Sequence, residues 1–322
     1  MPSNNTEEYI KFDCVIANPP YQEMNGGHGA SADPLYHKFV EFALDIVKPE
    51  HAVFITPSRW MAATKMSGLV PYMDRMRKDK QVKEIVHFNG AKEVFPGAAD
   101  IEGGVSYFHW EKGHTGPCTF NGVPRSLDAY SIIPTDNQAL SILDKVLKAH
   151  AGKAFVMGRV LGRKPFGLAT NFSNWQAAGT VCWAQGQAKK FVDPNCFTDS
   201  NGVLGLWKVL TSTGYGERGV SQRRVMGPRF LAAPQEICTE TYIVLGAFKT
   251  RKEAELFQAY TDTKLFRFLL AQQCNTQHVN KGKFAWVPDR GSYSGSPLTD
   301  ATLCAQYGLT QDEVAYIESK IL

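Results

Sequence analysis

The sequence predicts an α/β fold in its first part and an α+β arrangement after it, on three observations. Short runs rich in Val and Ile stop at prolines, as strands do where the chain loses a backbone donor. Between these runs lie segments with apolar residues at helical spacing. Beyond residues 113–128, which hold Gly116-Pro117 and Gly122-Val123-Pro124, the alternation gives way to short apolar runs broken by Gly, Pro and Asn.

The first run, Phe12-Asp13-Cys14-Val15-Ile16-Ala17, reads as a short buried strand closed by Asn18-Pro19-Pro20-Tyr21. Residues 34–47 carry Leu35, Phe39, Phe42, Ala43 and Ile46 at helical spacing and stop before Lys48-Pro49, the pattern of a crossover helix. Residues 52–55 form a second strand, halted by Thr56-Pro57. A parallel, right-handed crossover would bring its end to the same edge as Tyr21. A second helix is expected over 66–78. Strands are expected over 82–88 and 104–110, antiparallel to each other because 89–103 shows no helical pattern.

The composition shift places a division between domains 1–125 and 126–322. In the second domain, Leu140, Leu143, Val146 and Leu147 mark a helix over 137–149, and 155–245 reads as irregular β structure. Residues 250–274 read as one long helix. Thr310-Gln311-Asp312-Glu313 has the form of a capping box ahead of Val314, Ile317 and Ile321.

A composition of 43% hydrophobic and 20% charged residues is that of a soluble globular protein. No apolar stretch approaches the ~20 residues of a membrane span, and residues 1–8 are polar, so no membrane association and a cytoplasmic location are expected. Seven cysteines, odd in number and without a Cys-x-x-Cys pair, argue for reduced thiols and against a disulfide framework or a zinc site. The net charge of +4 divides unevenly, with two acidic residues in excess over 1–125 and six basic ones over 126–322. That surplus is a mild signal for phosphate-backbone binding by the second domain.

In open α/β sheets the carboxyl ends of strands face the ligand crevice. Asn18 and Tyr21, stiffened there by Pro19 and Pro20, suit one task. The Asn oxygen and a proline carbonyl can accept hydrogen bonds from an exocyclic amine, and the Tyr ring can stack on the flat base that carries it. Gly26-Gly27-His28-Gly29 has no helix directly after it, which favours a lid over that base rather than a phosphate cradle.

The tetrapeptide resembles the signature of the amino-methylating DNA methyltransferases, in which Asn-Pro-Pro-Tyr marks adenine-specific enzymes of type II restriction-modification systems. Phe39-Val40-Glu41-Phe42-Ala43-Leu44, Val47-Lys48-Pro49, Val53-Phe54-Ile55-Thr56-Pro57, Trp60 and Glu93-Val94-Phe95-Pro96 are similar to the blocks that follow it in that family. The resemblance implies the second half of a Rossmann-like methyltransferase sheet, followed by an α+β target-recognition domain. It implies site-specific adenine-N6 methylation of double-stranded DNA with S-adenosylmethionine and base flipping. Asn18 and Pro19 would take the amine hydrogens, Pro20 would hold the turn, Tyr21 would stack on the flipped base and Phe95 would close the pocket. Phe39, with Asn18, would border the cofactor.

By the same resemblance, Arg163, Lys164, Arg223, Arg224, Lys264, Arg267, Lys281 and Lys283 are candidates for DNA contact. Relatives also carry, ahead of the Asn-Pro-Pro-Tyr strand, a glycine-rich turn and an acidic strand end that hold the cofactor. Residues 1–11 can supply neither. The expectation is therefore a catalytic and specificity half that needs a second chain carrying the glycine-rich motif, or self-association. The alternatives are a fragment of a longer restriction-modification enzyme and a catalytically inactive DNA-recognition module.

Overall fold

A computed structural model describes residues 11–23, 33–63, 68–97, 101, 103–214, 222–274 and 278–322. The chain divides into two compact units, Met1–Asn137 and Gln138–Leu322. The first unit thus runs past residue 125, and its packing explains why. Arg125 donates to Asn137 Oδ1 at 3.0 Å and to the Pro134 carbonyl at 2.5 Å, and the Ile133 N–H reaches the Met61 carbonyl at 2.8 Å. Residues 126–137 are stitched back onto the sheet rather than leading away from it.

Among the described residues the first unit has six strands: β1 (Cys14–Ala17), β2 (His51–Pro57), β3 (Val82–Phe88), β4 (Val105–Glu111), β5 (Cys118–Phe120) and β6 (Val123–Arg125). They lie in the order β1-β2-β4-β3-β5-β6. β1 is parallel to β2, β4 is antiparallel to both β2 and β3, and β5 is parallel to β3. It follows that β1, β2 and β3 all end at one rim of the sheet, where β4 begins. Alternation sets the buried face: Ala52, Phe54 and Thr56 are buried on β2, and Phe54 stacks on its cross-strand partner Phe108 with ring centroids 5.6 Å apart.

Two helices accompany this sheet, α1 (Tyr36–Phe42), continued by a π turn over Ala43–Val47, and α2 (Val70–Lys78). Lys48 closes the first in the left-handed region at φ 52°, ahead of Pro49. Arg75 of α2 grips Asp45 through two 2.6 Å hydrogen bonds. The rings of Tyr36 and Trp60 both meet Tyr72 edge-on, at 6.4 and 5.4 Å, which fixes α1 and α2 beside the end of β2.

The helical face read from sequence turns out to be mostly the outer one. Tyr36, Val40, Ala43 and Leu44 point inward, whereas Phe42 and Ile46 are 57% and 68% exposed and Phe39 is exposed as well. Ile16 of β1 is 79% exposed, and β1 is the sheet's edge. The periodicity is a true signal of helix, but it marks a surface that nothing among the described residues covers.

The second unit opens with α3 (Leu140–Ala149), whose Ile142, Leu143 and Val146 are buried. Among the described residues six strands follow: β7 (Thr180–Ala184), β8 (Ala188–Val192), β9 (Trp207–Ser212), β10 (Phe230–Ala232), β11 (Ile237–Cys238) and β12 (Tyr242–Phe248). They make two three-stranded sheets, β10-β9-β12 and β11-β7-β8, around Phe166, Leu168, Cys182, Leu210, Ile237 and Val244.

The expected long helix is two helices, α4 (Arg251–Asp262) and α5 (Lys264–Gln273), broken at Thr263. Thr263 has extended backbone, and its hydroxyl accepts the Phe266 N–H, while the Asp300 carboxylate accepts the N–H groups of Lys264 and Leu265 at 2.9 and 2.8 Å. Those are the donors that the start of a helix leaves orphaned, and a residue 36 positions away satisfies them. Helices α6 (Asp300–Gln306) and α7 (Gln311–Lys320) complete the unit, the latter with the Thr310/Glu313 capping box in place. All seven cysteines are free, and no helix of the described residues is long and apolar enough to cross a membrane.

Candidate active site

Asn18 follows directly on β1, so the strand delivers its carboxamide to the rim where β2 and β3 also end. Asn18 and Pro20 are exposed, Pro19 is buried and Tyr21 is half-buried. The Tyr21 carbonyl accepts the Leu35 N–H at 3.1 Å, Gln22 bridges to Pro34, and the Glu23 N–H donates to the Asp33 carbonyl at 3.0 Å. These contacts form a neck that closes the loop between β1 and α1. The Gly26 to Gly29 stretch assigned as a lid lies outside the described residues. Burial pushes the Tyr21 phenol above its ordinary range, and its hydroxyl has no hydrogen-bond partner among the described residues.

At the ends of β2 and β3 lies a network that the sequence did not announce. His87, near the end of β3, places Nδ1 2.9 Å from Ser58 Oγ and Nε2 3.2 Å from Asn89 Oδ1. Burial holds the imidazole pKa below its usual value, so the ring is neutral at pH 7. An amide oxygen only accepts, so Nε2 carries the proton and Nδ1 accepts from the Ser58 hydroxyl. Ser58 in turn donates its backbone N–H to the Gly104 carbonyl at 2.9 Å. The ends of β2 and β3 and the start of β4 are thereby locked together. A histidine inside an apolar strand and a serine after a proline carry no spacing signal by which sequence could have paired them.

Phe95 follows a 3-10 turn over Ala91–Glu93 at the same rim and is half-buried, with its N–H on the Ala91 carbonyl at 2.8 Å. Glu93 serves this turn by accepting the Gly90 N–H at 2.9 Å. Phe39 stands on the exposed side of α1. Asn18, Pro19, Pro20 and Tyr21 follow the end of β1, and Phe95 follows the end of β3 at the same rim, with β2 and β4 between the two strands.

The basic candidates of the second unit divide. Arg163, Lys164, Arg224 and Lys281 are exposed. Arg163 pairs with the Glu240 carboxylate, and Lys164 lies 3.5 Å from the same group. Arg223 is half-buried and structural in its contacts: its backbone joins Lys320 and Leu322, and its guanidinium donates to the Cys274 carbonyl at 3.3 Å. Lys264 and Arg267 are half-buried on α5. Lys283 departs from expectation. It is 4% exposed, and burial depresses its pKa, so it cannot reach a phosphate on the surface.

Comparison with known proteins bears on the first unit. Residues 2–95 match the family model described as Eco57I restriction-modification methylase, a span that includes Asn18 to Tyr21 and Phe95. Over 116 residues the chain is 36% identical to a protein of Mycoplasma pneumoniae (strain ATCC 29342 / M129 / Subtype 1) described as an uncharacterized adenine-specific methylase. That alignment covers 35% of this chain and 26% of the relative, so the chain matches about a quarter of the relative's length. The crystal structure of the type IIG restriction endonuclease BpuSI is similar over 95% of this chain and 49% of its own, at 9% identity and a TM-score of 0.31, a likeness too slight to carry an argument. The first unit's mixed sheet with its helices is an α/β arrangement, and the match to the restriction-modification methylase family lies within that unit.

Proposed function

We propose that the chain is the catalytic and target-recognition part of an adenine-N6 DNA methyltransferase of a restriction-modification system, acting on a base rotated out of the duplex. The observation that carries this reading is the strand-end turn: an exposed Asn18 carboxamide, a buried Pro19 and a half-buried Tyr21 at the carboxyl end of β1. The N6 amine of adenine is a poor nucleophile because its lone pair is conjugated into the ring. Drawing its two hydrogens toward Asn18 Oδ1 and the Pro19 carbonyl pyramidalises the nitrogen and frees that pair. Tyr21 stacks on the extruded base and offsets part of the few kcal/mol that unstacking costs, and Phe95 shields another side.

S-adenosylmethionine, when bound, supplies an electrophilic methyl group on a sulfonium. The residues present fit one flank of it. Phe39 offers an exposed flat ring, and Asn18 stands at the adjoining strand end. Among the described residues no strand ends in a turn with the paired glycines that the methionine moiety needs. The open edge of β1, with Ile16 and the outward Phe39, Phe42 and Ile46, is where a glycine-rich neighbour strand would pair. That strand would belong to a second polypeptide or to a further segment of a longer protein, and without either the edge would be covered by self-association.

Transfer of labelled methyl groups to duplex DNA, by the chain with the polypeptide that completes its edge, tests the reading. Methylated cytosine as the sole product would overturn it. Tyr21→Ala should weaken capture of the flipped base by ~1 to 3 kcal/mol. A fluorescent adenine analogue at the target position reads this directly, and unchanged fluorescence would refute the stacking role.

The second unit is proposed to hold the target sequence, with Arg163, Lys164, Arg224 and Lys281 on phosphates or base edges. Neutralising these four together should lower the slope of log affinity against log salt by about one for each phosphate that the protein ceases to neutralise. Titrations at several salt concentrations measure it. An unaltered slope would move the DNA surface elsewhere.

A further inference from the structure

The strongest unassigned cluster of metal-ligating side chains lies at the opposite end of β2 from Asn18. His51 is the first residue of β2 and Glu111 the last of β4, and the two are cross-strand partners. His109 pairs with Val53, two positions further along both strands. Because side chains alternate with a period of two, His51, His109 and Glu111 project from one face of the sheet. Residues remote in sequence thus converge. The expectation of no metal site rests on cysteine spacing, which carries no information about such a set.

The geometry is close to that of a coordination sphere. His51 Nδ1 and His109 Nε2 are 3.2 Å apart, His51 Nδ1 and Glu111 Oε2 are 3.9 Å apart, and one donor atom from each residue lies within 4.8 Å of the others. A tetrahedral ion with bonds of ~2.0–2.1 Å requires donors roughly 3.3 Å apart. The imidazole pair already has that spacing, and a small rotation of the half-exposed His51 and of Glu111 brings in the carboxylate.

We propose that His51, His109 and Glu111 bind a divalent zinc ion, with water in the remaining position. Two imidazoles and one carboxylate suit a borderline ion rather than magnesium or calcium, which prefer all-oxygen spheres. Lys83 Nζ, 2.6 Å from Glu111 Oε2, now supplies the positive charge that the ion would replace.

The site is structural. Six residue steps along β2 separate it from the rim that holds Asn18, a distance of ~20 Å, so it takes no part in chemistry there. The ion instead clamps β2 to β4, the two strands on which the rim depends.

Calorimetric titration of the intact chain with zinc, paired with cobalt(II) absorption, tests this. The expected result is one equivalent of tight binding and a visible cobalt band of a four-coordinate nitrogen and oxygen site, without the ultraviolet charge transfer that thiolates give. His109→Ala should weaken zinc by roughly a hundredfold and Glu111→Gln by roughly tenfold, and zinc should raise the melting temperature of the wild-type chain more than that of either of these two variants. Lys83→Met keeps all three ligands and removes the competing cation, so it should tighten zinc several-fold. Thiolate charge transfer, or zinc affinity that none of these substitutions changes, would overturn the site.

Discussion

Asn18→Ala is expected to abolish methyl transfer while leaving duplex affinity nearly unchanged. In the proposed mechanism the carboxamide acts on the amine only as its nitrogen turns tetrahedral, so its loss should fall on the chemical step. Removal of one preorganised polar group at a developing charge costs on the order of 10² to 10³ in rate in other enzymes. Asn18 is exposed at the end of an edge strand, so the alanine costs little packing. Single-turnover transfer from labelled cofactor, with DNA binding measured in parallel, separates the two quantities. Turnover near that of the wild type would remove Asn18 from the mechanism, whereas loss of DNA binding would assign it to capture of the duplex.

The second large effect concerns the rim on which Asn18 stands. Gly104, at the start of β4, has φ +75°, and a Cβ there would lie 2.1 Å from the Phe88 carbonyl oxygen and 3.0 Å from that of Asn89. Its own carbonyl holds the Ser58 N–H. Gly104→Ala must therefore push apart the end of β3 and the start of β4 and disturb the Ser58 to His87 network, a loss of at least ~3 kcal/mol. Gly97→Ala is the matched control. It too has positive φ, +85°, but nothing lies within 4 Å of its Cβ. It should cost only the ~1 to 2 kcal/mol of left-handed strain. Denaturant midpoints for the two variants decide, and equal losses would show that the close approach at Gly104 is relieved at no cost.

What sequence made legible follows from where each cause resides. Strands β1 and β2 were readable because Val and Ile runs ending at prolines are local signals, β3 and β4 because short apolar runs stand out between polar and glycine-containing stretches, and the antiparallel pairing of β3 with β4 followed from a connection too irregular for a helix. The break between α4 and α5 was not readable. Thr263 sits inside a continuous helical period, and the groups that cap the second helix belong to Asp300. The outer face of α1 misled for the opposite reason, since periodicity reports that a helix has an apolar side and not which neighbour covers it. Of the site, the Asn18 to Tyr21 turn was legible as a motif. The Ser58, His87 and Asn89 network and the His51, His109 and Glu111 cluster were not, because each is created by pairing strands remote in sequence.

The strand order also governs when this unit can exist during synthesis of the chain. β2 and β3 share no hydrogen bonds with each other, and each is held by β4, which is made last of the three. Until β4 has left the ribosome, the ends of β2 and β3 have no common neighbour and the rim that presents Asn18 is unassembled. The span that matches the methylase family stops at residue 95, before β4 begins. A fragment cut at that point would keep the motif and lose the strand that joins the two sides of the sheet, so the end of the family match is not a point at which this sheet can close.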